Sequence, residues 1–345
     1  MLRVFAGPAA LAAAALVALA PAPTAAQPAE KKTTIGSVER KSPKLDDLIP
    51  KDAVIEVLAG GFKWTEGPVW DKKAKRLLFT DIPNNRVVSW SQADGVKTFL
   101  EPSGYTGKEK FTGDEPGANG LAFDKDGNLV LCQHGDRRVS RLTADGKFHT
   151  LVDRYTGKRF NSPNDLVFHP NGDLYFTDPP YGLPKQMDDP NKELPFQGVY
   201  RLKANGELAL LTKEMSRPNG IALSPDQKTL YVANSDPARA IWMAFPLGAD
   251  GLISGPGRVI FDATPEVVAK KPGLPDGMKV DTKGNIFATG PDGVYVFAAD
   301  LTYLGKIVVG DKNANCGFGD DGSTLYICAN DKLVRIRTTT RGLGF

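Results

Sequence analysis

Six oxygen-bearing side chains open six similar stretches of the chain: Glu66, Asn119, Asn164, Asn219, Asp276 and Asn315. Two are carboxylates and four are amides. Oxygen donors with no thiol and no evident imidazole among them suit a hard divalent cation, Ca2+ best, Mg2+ or Mn2+ less well. Glu66 and Asp276 together offset the charge of such an ion, and neutral amides in the remaining positions leave it electrophilic. Proline stands beside or close to four of the six, in Glu66-Gly67-Pro68, Pro163-Asn164, Pro218-Asn219 and Pro275-Asp276, and stiffens their placement. The competing use of the same residue types is the capping of turns, in which Asn and Asp side chains bond nearby backbone N–H groups. That use competes most strongly at Asn119 and Asn315.

Each of these residues opens a strand–turn–strand unit. After Asn164 comes a short strand over 165–168, a tight turn His169-Pro170-Asn171-Gly172, and a second strand over 173–177. The same grammar follows Glu66, Asn119, Asn219, Asp276 and Asn315, with starts 53, 45, 55, 57 and 39 residues apart. This is the period of a four-stranded blade. The turns 124–127, 169–172, 281–284 and 320–322 carry Asp or His followed by Gly, as hairpins demand. Alternation and β-branched content favour strands, and Pro or Gly interrupts every candidate long helix. The predicted fold is all-β, a six-bladed β-propeller, with a large β-sandwich as the alternative that a sixfold period disfavours. Leu333–Arg337 or Val54–Leu58 is expected to complete the first blade from the other terminus. In a propeller the innermost strands line a central channel, so the six opening residues are expected to converge on one face of its axis.

The rest of the composition sets bounds. The 345 residues are 41% hydrophobic, with 43 basic against 40 acidic side chains and no basic run of the kind that tracks a nucleic acid. Arg3 followed by an apolar run over 8–20 and small residues at 24–26 predicts a signal peptide, 1–26. A polar leader, 27–50, and a propeller domain, 51–345, are expected to follow. The protein is expected to be secreted or periplasmic, with no membrane attachment after cleavage and an oligomeric state left open. Cys132, Cys316 and Cys328 are read as buried thiols, and a Cys316–Cys328 bridge across a hairpin is the alternative.

Taken together, Glu66-Gly-Pro68, Asn119-Gly-Leu-Ala-Phe123, Asn161-Ser-Pro-Asn-Asp165, Phe176-Thr-Asp-Pro-Pro-Tyr-Gly182, Pro218-Asn-Gly220, Asp276-Gly-Met278 and Phe318-Gly319 resemble the SMP-30/gluconolactonase/LRE-like family of six-bladed propellers. The resemblance runs from about 61 to 336. It implies hydrolysis of a small-molecule lactone, a sugar lactone such as gluconolactone, by metal-activated water. It implies Ca2+ on the axis, with Mg2+, Mn2+ or Zn2+ left open. By the family pattern Glu66, Asn219 and Asp276 ligate the ion, Asn164 ligates it or touches substrate, and Asp276 is the base. Asn119 joins Asn164 as an expected substrate contact. Two positions depart from the pattern: Gln133 stands where close members carry Glu, and Ser162 where animal-type members carry Arg.

Only three histidines exist. His134 follows a strand that runs outward from the axis and is the expected catalytic acid, base or substrate donor, while His149 and His169 read as turn or surface residues. Arg137 and Arg138 read as solvated, and Arg159 and Arg217 as candidates to orient a carboxylate product. The long segments 101–118 and 183–197 are expected to act as lids, with Tyr105 and Phe111 over substrate. Two other functions stay open at this level: an ester or organophosphate hydrolase on the same metal site, and a non-catalytic ligand-binding propeller.

Overall fold

The computed structural model describes residues 1–5 and 33–345, and residues Thr33–Phe345 form one unit. The regular structure of that unit is almost entirely strand, arranged as six antiparallel blades beside one small two-stranded sheet, Arg154–Tyr155 with Lys158–Arg159. The innermost strands of the blades are Thr65–Asp71, Ala118–Phe123, Leu166–Phe168, Pro218–Leu223, Met278–Val280 and Asn313–Gly319. The first four blades step outward in chain order. In the first, Thr65–Asp71 pairs with Arg76–Asp81, then Arg86–Ser91, then Gly95–Leu100. The expected turns form, with Gly127 at φ +79° and Gly172 at φ +92°, a backbone region where a side chain is disfavoured. Among the described residues the single α-helix is the short Thr264–Val268, and no helix is long and apolar enough to cross a membrane.

Ring closure differs from the sequence expectation. The first blade is complete in itself, and the last one borrows a strand. Ile55–Gly60 pairs with Lys332–Arg337 as the fourth strand of the sixth blade. The boundary at 51 also moves. Thr34–Ile35 extends the sixth blade beside Ile55–Gly60, and Ser37–Arg40 adds a fifth strand to the fifth blade beside Tyr303–Val308. Leu45, Leu48 and Ile49 then pack into the core between these two blades. Thus 33–50, expected as a polar leader, covers two sheet edges that would otherwise lie open. The expected signal segment lies, beyond its first five residues, outside the described residues.

The core consists of wedges between neighbouring blades. Leu78, Val87, Leu121 and Leu131 fill the first; Val130, Phe160, Phe176 and Tyr200 fill the next. All three cysteines are free and buried. Cys328 pairs with Asn315 and Cys316 with Ile327, so the two thiols alternate to opposite faces of the hairpin and no bridge forms.

Candidate functional site

The starts of the inner strands meet because glycine follows four of the six polar side chains, Glu66, Asn119, Asn219 and Asp276. A Cβ on Gly220 would stand 2.1 Å from the Asp276 carbonyl oxygen, and one on Gly277 would stand 1.9 Å from Asn315 Cγ. Threonines on the second strands hold these starts. Thr80 Oγ1 donates to the Asn119 carbonyl at 3.1 Å, Thr177 Oγ1 to that of Asn219 at 2.7 Å, and Thr289 Oγ1 to that of Gly277 at 2.8 Å.

A cavity of about 370 Å3 opens above this ring, lined by Glu66, Asn119, Asn164, Asn219 and Asp276. Five of the six expected residues therefore share one space. Asn315 lies outside the lining: its Nδ2 reaches Asp165 Oδ2 at 3.4 Å and its Oδ1 accepts from the Cys316 N–H. Four oxygens around the cavity are buried without a partner, Oδ1 of Asn119, Asn164, Asn219 and Asp276. Two of the amides are turned to leave that oxygen free. Asn219 Nδ2 donates to Ser235 Oγ at 3.0 Å, and Asn164 Nδ2 faces His134 Nε2 at 3.4 Å. Buried polar groups ordinarily find partners, so four orphans converging on one cavity describe a nest for a cation or for hydroxyl donors of a ligand.

The electrostatics agree. Burial, then the charge of Asp165, pushes the Glu66 carboxyl up to about 8, against the pull of the Gly67 N–H on Oε2. Burial, then the charges of Glu66 and Asp165, holds Asp276 well above the ordinary carboxyl range. Without a cation these groups resist sharing the site as anions. Among the described residues no three His, Cys, Asp or Glu side chains group closely enough to hold a metal by themselves. A cation held here would need the amide oxygens to complete its set, a donor chemistry that suits a hard ion better than zinc.

His134 does not line the cavity. It is fully buried behind Asn164, with Nδ1 2.9 Å from Glu115 Oε2, at ion-pair distance but without hydrogen-bond alignment. His134 reaches the cavity lining only through Asn164, whose Nδ2 lies 3.4 Å from its Nε2. Gln133, at the position departing from the family pattern, is structural: its Oε1 accepts from Arg138 Nε and Ser140 Oγ, and its Nε2 donates to the Ser103 carbonyl. Ser162, at the other, donates to the Pro179 carbonyl at 2.6 Å and is buried. His149 is exposed on the outermost strand of its blade and His169 lies in the turn after Leu166–Phe168, as expected.

Sequence reasoning missed four parts of the site. Asp165 takes the place that Gly holds after Glu66, Asn119, Asn219 and Asp276, and brings a third buried carboxylate to the axis. Glu115, from segment 101–118, lines the cavity, whereas Tyr105 and Phe111 of that segment pack against each other at a tilt, ring centroids 5.2 Å apart, and do not line it. Tyr181 and Ser235 line one wall, and Leu274 with Val267 from segment 263–277 lines another. The signals were present as the Asn-Asp pair in place of Asn-Gly and as the Thr one residue before the end of three of the second strands. A larger cavity, about 910 Å3, lies at the opposite ends of the inner strands among Trp70, Phe99, Phe123 and Phe345. Its acidic groups are already paired, Asp71 with Arg76 and Asp124 with Arg141, so the smaller cavity is the one with unspent polar groups.

The SMP-30/Gluconolactonase/LRE-like region family matches residues 64–330. The chain is 41% identical over 340 residues to a gluconolactonase of Zymomonas mobilis subsp. mobilis, covering 95% of this chain and 94% of that protein. It is 30% identical over 267 residues to a pentonolactonase of Haloferax volcanii, covering 76% and 80%. A solved gluconolactonase from Xanthomonas campestris superposes with a TM-score of 0.77 at 33% identity, covering 91% of this chain and 99% of that one. The match spans all six blades and every residue that lines the axial cavity, and the chain belongs to the SMP-30/gluconolactonase/LRE-like family.

Proposed function

We propose that the protein is a lactonase that opens sugar lactones of the gluconolactone kind in the axial cavity. The observation that carries the reading is the set of four unpartnered buried oxygens facing Glu66 in a space of about 370 Å3. Similarity to named lactonases over nearly the whole chain supports the same chemistry.

The donor set fits a divalent cation, Ca2+ first, held by Glu66, Asn219 and Asp276 with Asn164 beside them. When bound, such an ion would supply Lewis-acid polarisation of the lactone carbonyl. The chain's own residues do the rest. Asn119 and Asn164 offer amide groups to the hydroxyls of the sugar ring, and His134 keeps Asn164 turned to the cavity. Asp276 takes a proton from water as the water oxygen bonds to the acyl carbon. It returns that proton to the ring oxygen as the acyl carbon–ring oxygen bond breaks, leaving a hydroxyl and a carboxylic acid that then ionises. Trp64 and Lys312, 6.0 Å apart across the indole, stand at the cavity edge and limit its opening.

The test is proton release during hydrolysis of a panel of aldonolactones and simple esters by the purified protein. Turnover confined to lactones supports the reading; turnover of esters alone moves it to the ester-hydrolase alternative. Export is part of the proposal, and a mature N-terminus at Gln27 in protein isolated from its host tests it.

A further inference from the structure

A second cavity, about 460 Å3, lies beside the axial one, lined by Phe111, Gly135, Arg137, Arg159, Gly182 and Glu193 with parts of the 183–197 segment. Gly182 lines this cavity and Tyr181, just before it, lines the axial one, so the two cavities share a wall there. That wall is tightly packed: a Cβ on Gly182 would stand 2.6 Å from His134 Cβ and 2.7 Å from Ser162 Cβ. The two long segments expected to act as lids both contribute here, through Phe111 and Glu193.

The cavity holds two guanidinium groups that backbone carbonyls satisfy in part; among the described residues no carboxylate comes within ion-pair distance of either, although the charges of Glu193, Asp178 and Asp189 act on Arg137 from further off. Arg137 is 7% exposed. Its Nε donates to the Phe160 and Asn161 carbonyls at 2.7 and 3.1 Å, and its Nη1 to the Asn191 carbonyl at 3.0 Å. Its Nη2 is buried without a partner. Arg159 Nη2 donates to the Asp136 carbonyl at 2.8 Å. Glu193 is the one carboxylate in the lining, and its Oε2 accepts the Arg159 backbone N–H at 2.8 Å rather than pairing with either guanidinium. Elsewhere the chain treats a buried arginine differently: Arg201 is fully paired with Asp173. Burial, then the charge of Arg159, lowers the Arg137 pKa from its ordinary value. Arg137 also sits at φ +57°, where an arginine is strained. Unpaired, partly desolvated guanidinium groups are the usual means of recognising planar or tetrahedral oxyanions.

We propose that this cavity binds an oxyanion, the carboxylate or phosphate of a small solute of sugar-acid size, through Arg137 and Arg159, with Glu193 as the like charge that limits affinity. The volume is in the range of small-molecule sites and larger than a bare ion needs. If the lactonase reading above holds, the product of the reaction is itself such a carboxylate, and the site then lies within one residue of the wall of the chamber where it forms.

The experiment is calorimetric titration of metal-free protein with inorganic phosphate and, separately, with D-gluconate. The binding heat needs no turnover, so the outcome is independent of whether the protein proves to be a lactonase. Saturable binding of at least one probe is expected, and the probe that binds identifies the phosphate or carboxylate source. Arg159→Gln is expected to weaken that binding about tenfold or more, the scale of one charge-assisted hydrogen-bonding group. Glu193→Gln keeps an acceptor for the Arg159 N–H and removes the opposing charge, so binding is expected to tighten about threefold, a gain that misfolding cannot imitate. Absence of binding by both probes at tens of millimolar overturns the proposal. So does binding that neither substitution alters.

Discussion

The two ends of the inner strands use the same residue types in opposite ways. At the far ends, Asp124 Oδ1 accepts the N–H groups of Asp126 and Asn128, and Asp281 accepts those of Lys283 and Asn285, the Asn285 amide and the Thr340 hydroxyl. At the near ends, Asn119, Asn164, Asn219 and Asp276 each keep a buried oxygen with no partner. The ionisation follows the bonding. Burial would raise Asp124, but the Asn128 and Asp126 groups and Arg141 outweigh it and its pKa falls. Asp276, buried beside Glu66 and Asp165, rises. Turn-capping is thus the correct account of Asp and Asn at the far end and of Asn315 at the near one, and it fails for Asn119, Asn164, Asn219 and Asp276. The difference separates polar residues that hold the fold from polar residues the fold holds ready for a ligand.

Substitutions at matched aspartates should break that comparison most clearly. Asp276→Asn is expected to lower kcat for gluconolactone by about 10^3, the range of a lost general base, with the melting temperature unchanged or higher because a repelling charge is gone. Asp281→Ala should do the reverse, costing about 3 kcal/mol in denaturant unfolding through orphaned N–H groups while kcat holds. Equal losses of activity and stability in both variants would erase the distinction.

A smaller effect concerns pH. The Glu66 carboxyl, ordinarily near 4.5, stands at about 8 in the folded chain without an ion. A folded-state pKa above the unfolded one contributes stability present below the unfolded value and lost as pH rises through the folded value. The melting temperature of metal-free protein should therefore fall as pH rises from about 5 through about 8, and excess Ca2+ should flatten the slope. Thermal melts with and without the ion read this directly, and a metal-free profile that rises over that window would contradict it.

The smallest expected effect sharpens the role of the third axial carboxylate. Asp165→Asn keeps the size and removes the charge, so Ca2+ affinity should weaken about threefold to tenfold while kcat at saturating Ca2+ stays near that of the parent. A collapse of kcat at saturation would instead make Asp165 part of the reacting centre.

The period of the six repeats, their polar openings and their turns were legible because each is a local pattern: alternation along one strand, a glycine at a positive φ, a proline before an amide. The convergence of Glu66, Asn119, Asn164, Asn219 and Asp276 followed from the symmetry of the fold. What stayed hidden depends on contacts between distant segments. No local pattern announces that Ile55–Gly60 closes the sixth blade, because an edge strand is recognised by the strand it meets. His134 looked able to reach the channel, yet it is not part of the cavity lining and meets the Asn164 amide instead. Glu115 was one acid in a polar segment until its neighbours were known. Arg137 read as solvated, because a sequence shows a charge and not the absence of its partner.

The most direct test of the axial site follows bound Ca2+ and lactone hydrolysis in the same sample as metal-free protein is titrated. The account predicts a negligible rate without the ion, rising in proportion to the first equivalent bound and flat thereafter, with Asp276→Asn silent throughout. A full rate in the metal-free protein, or a rate indifferent to the bound ion, would contradict it.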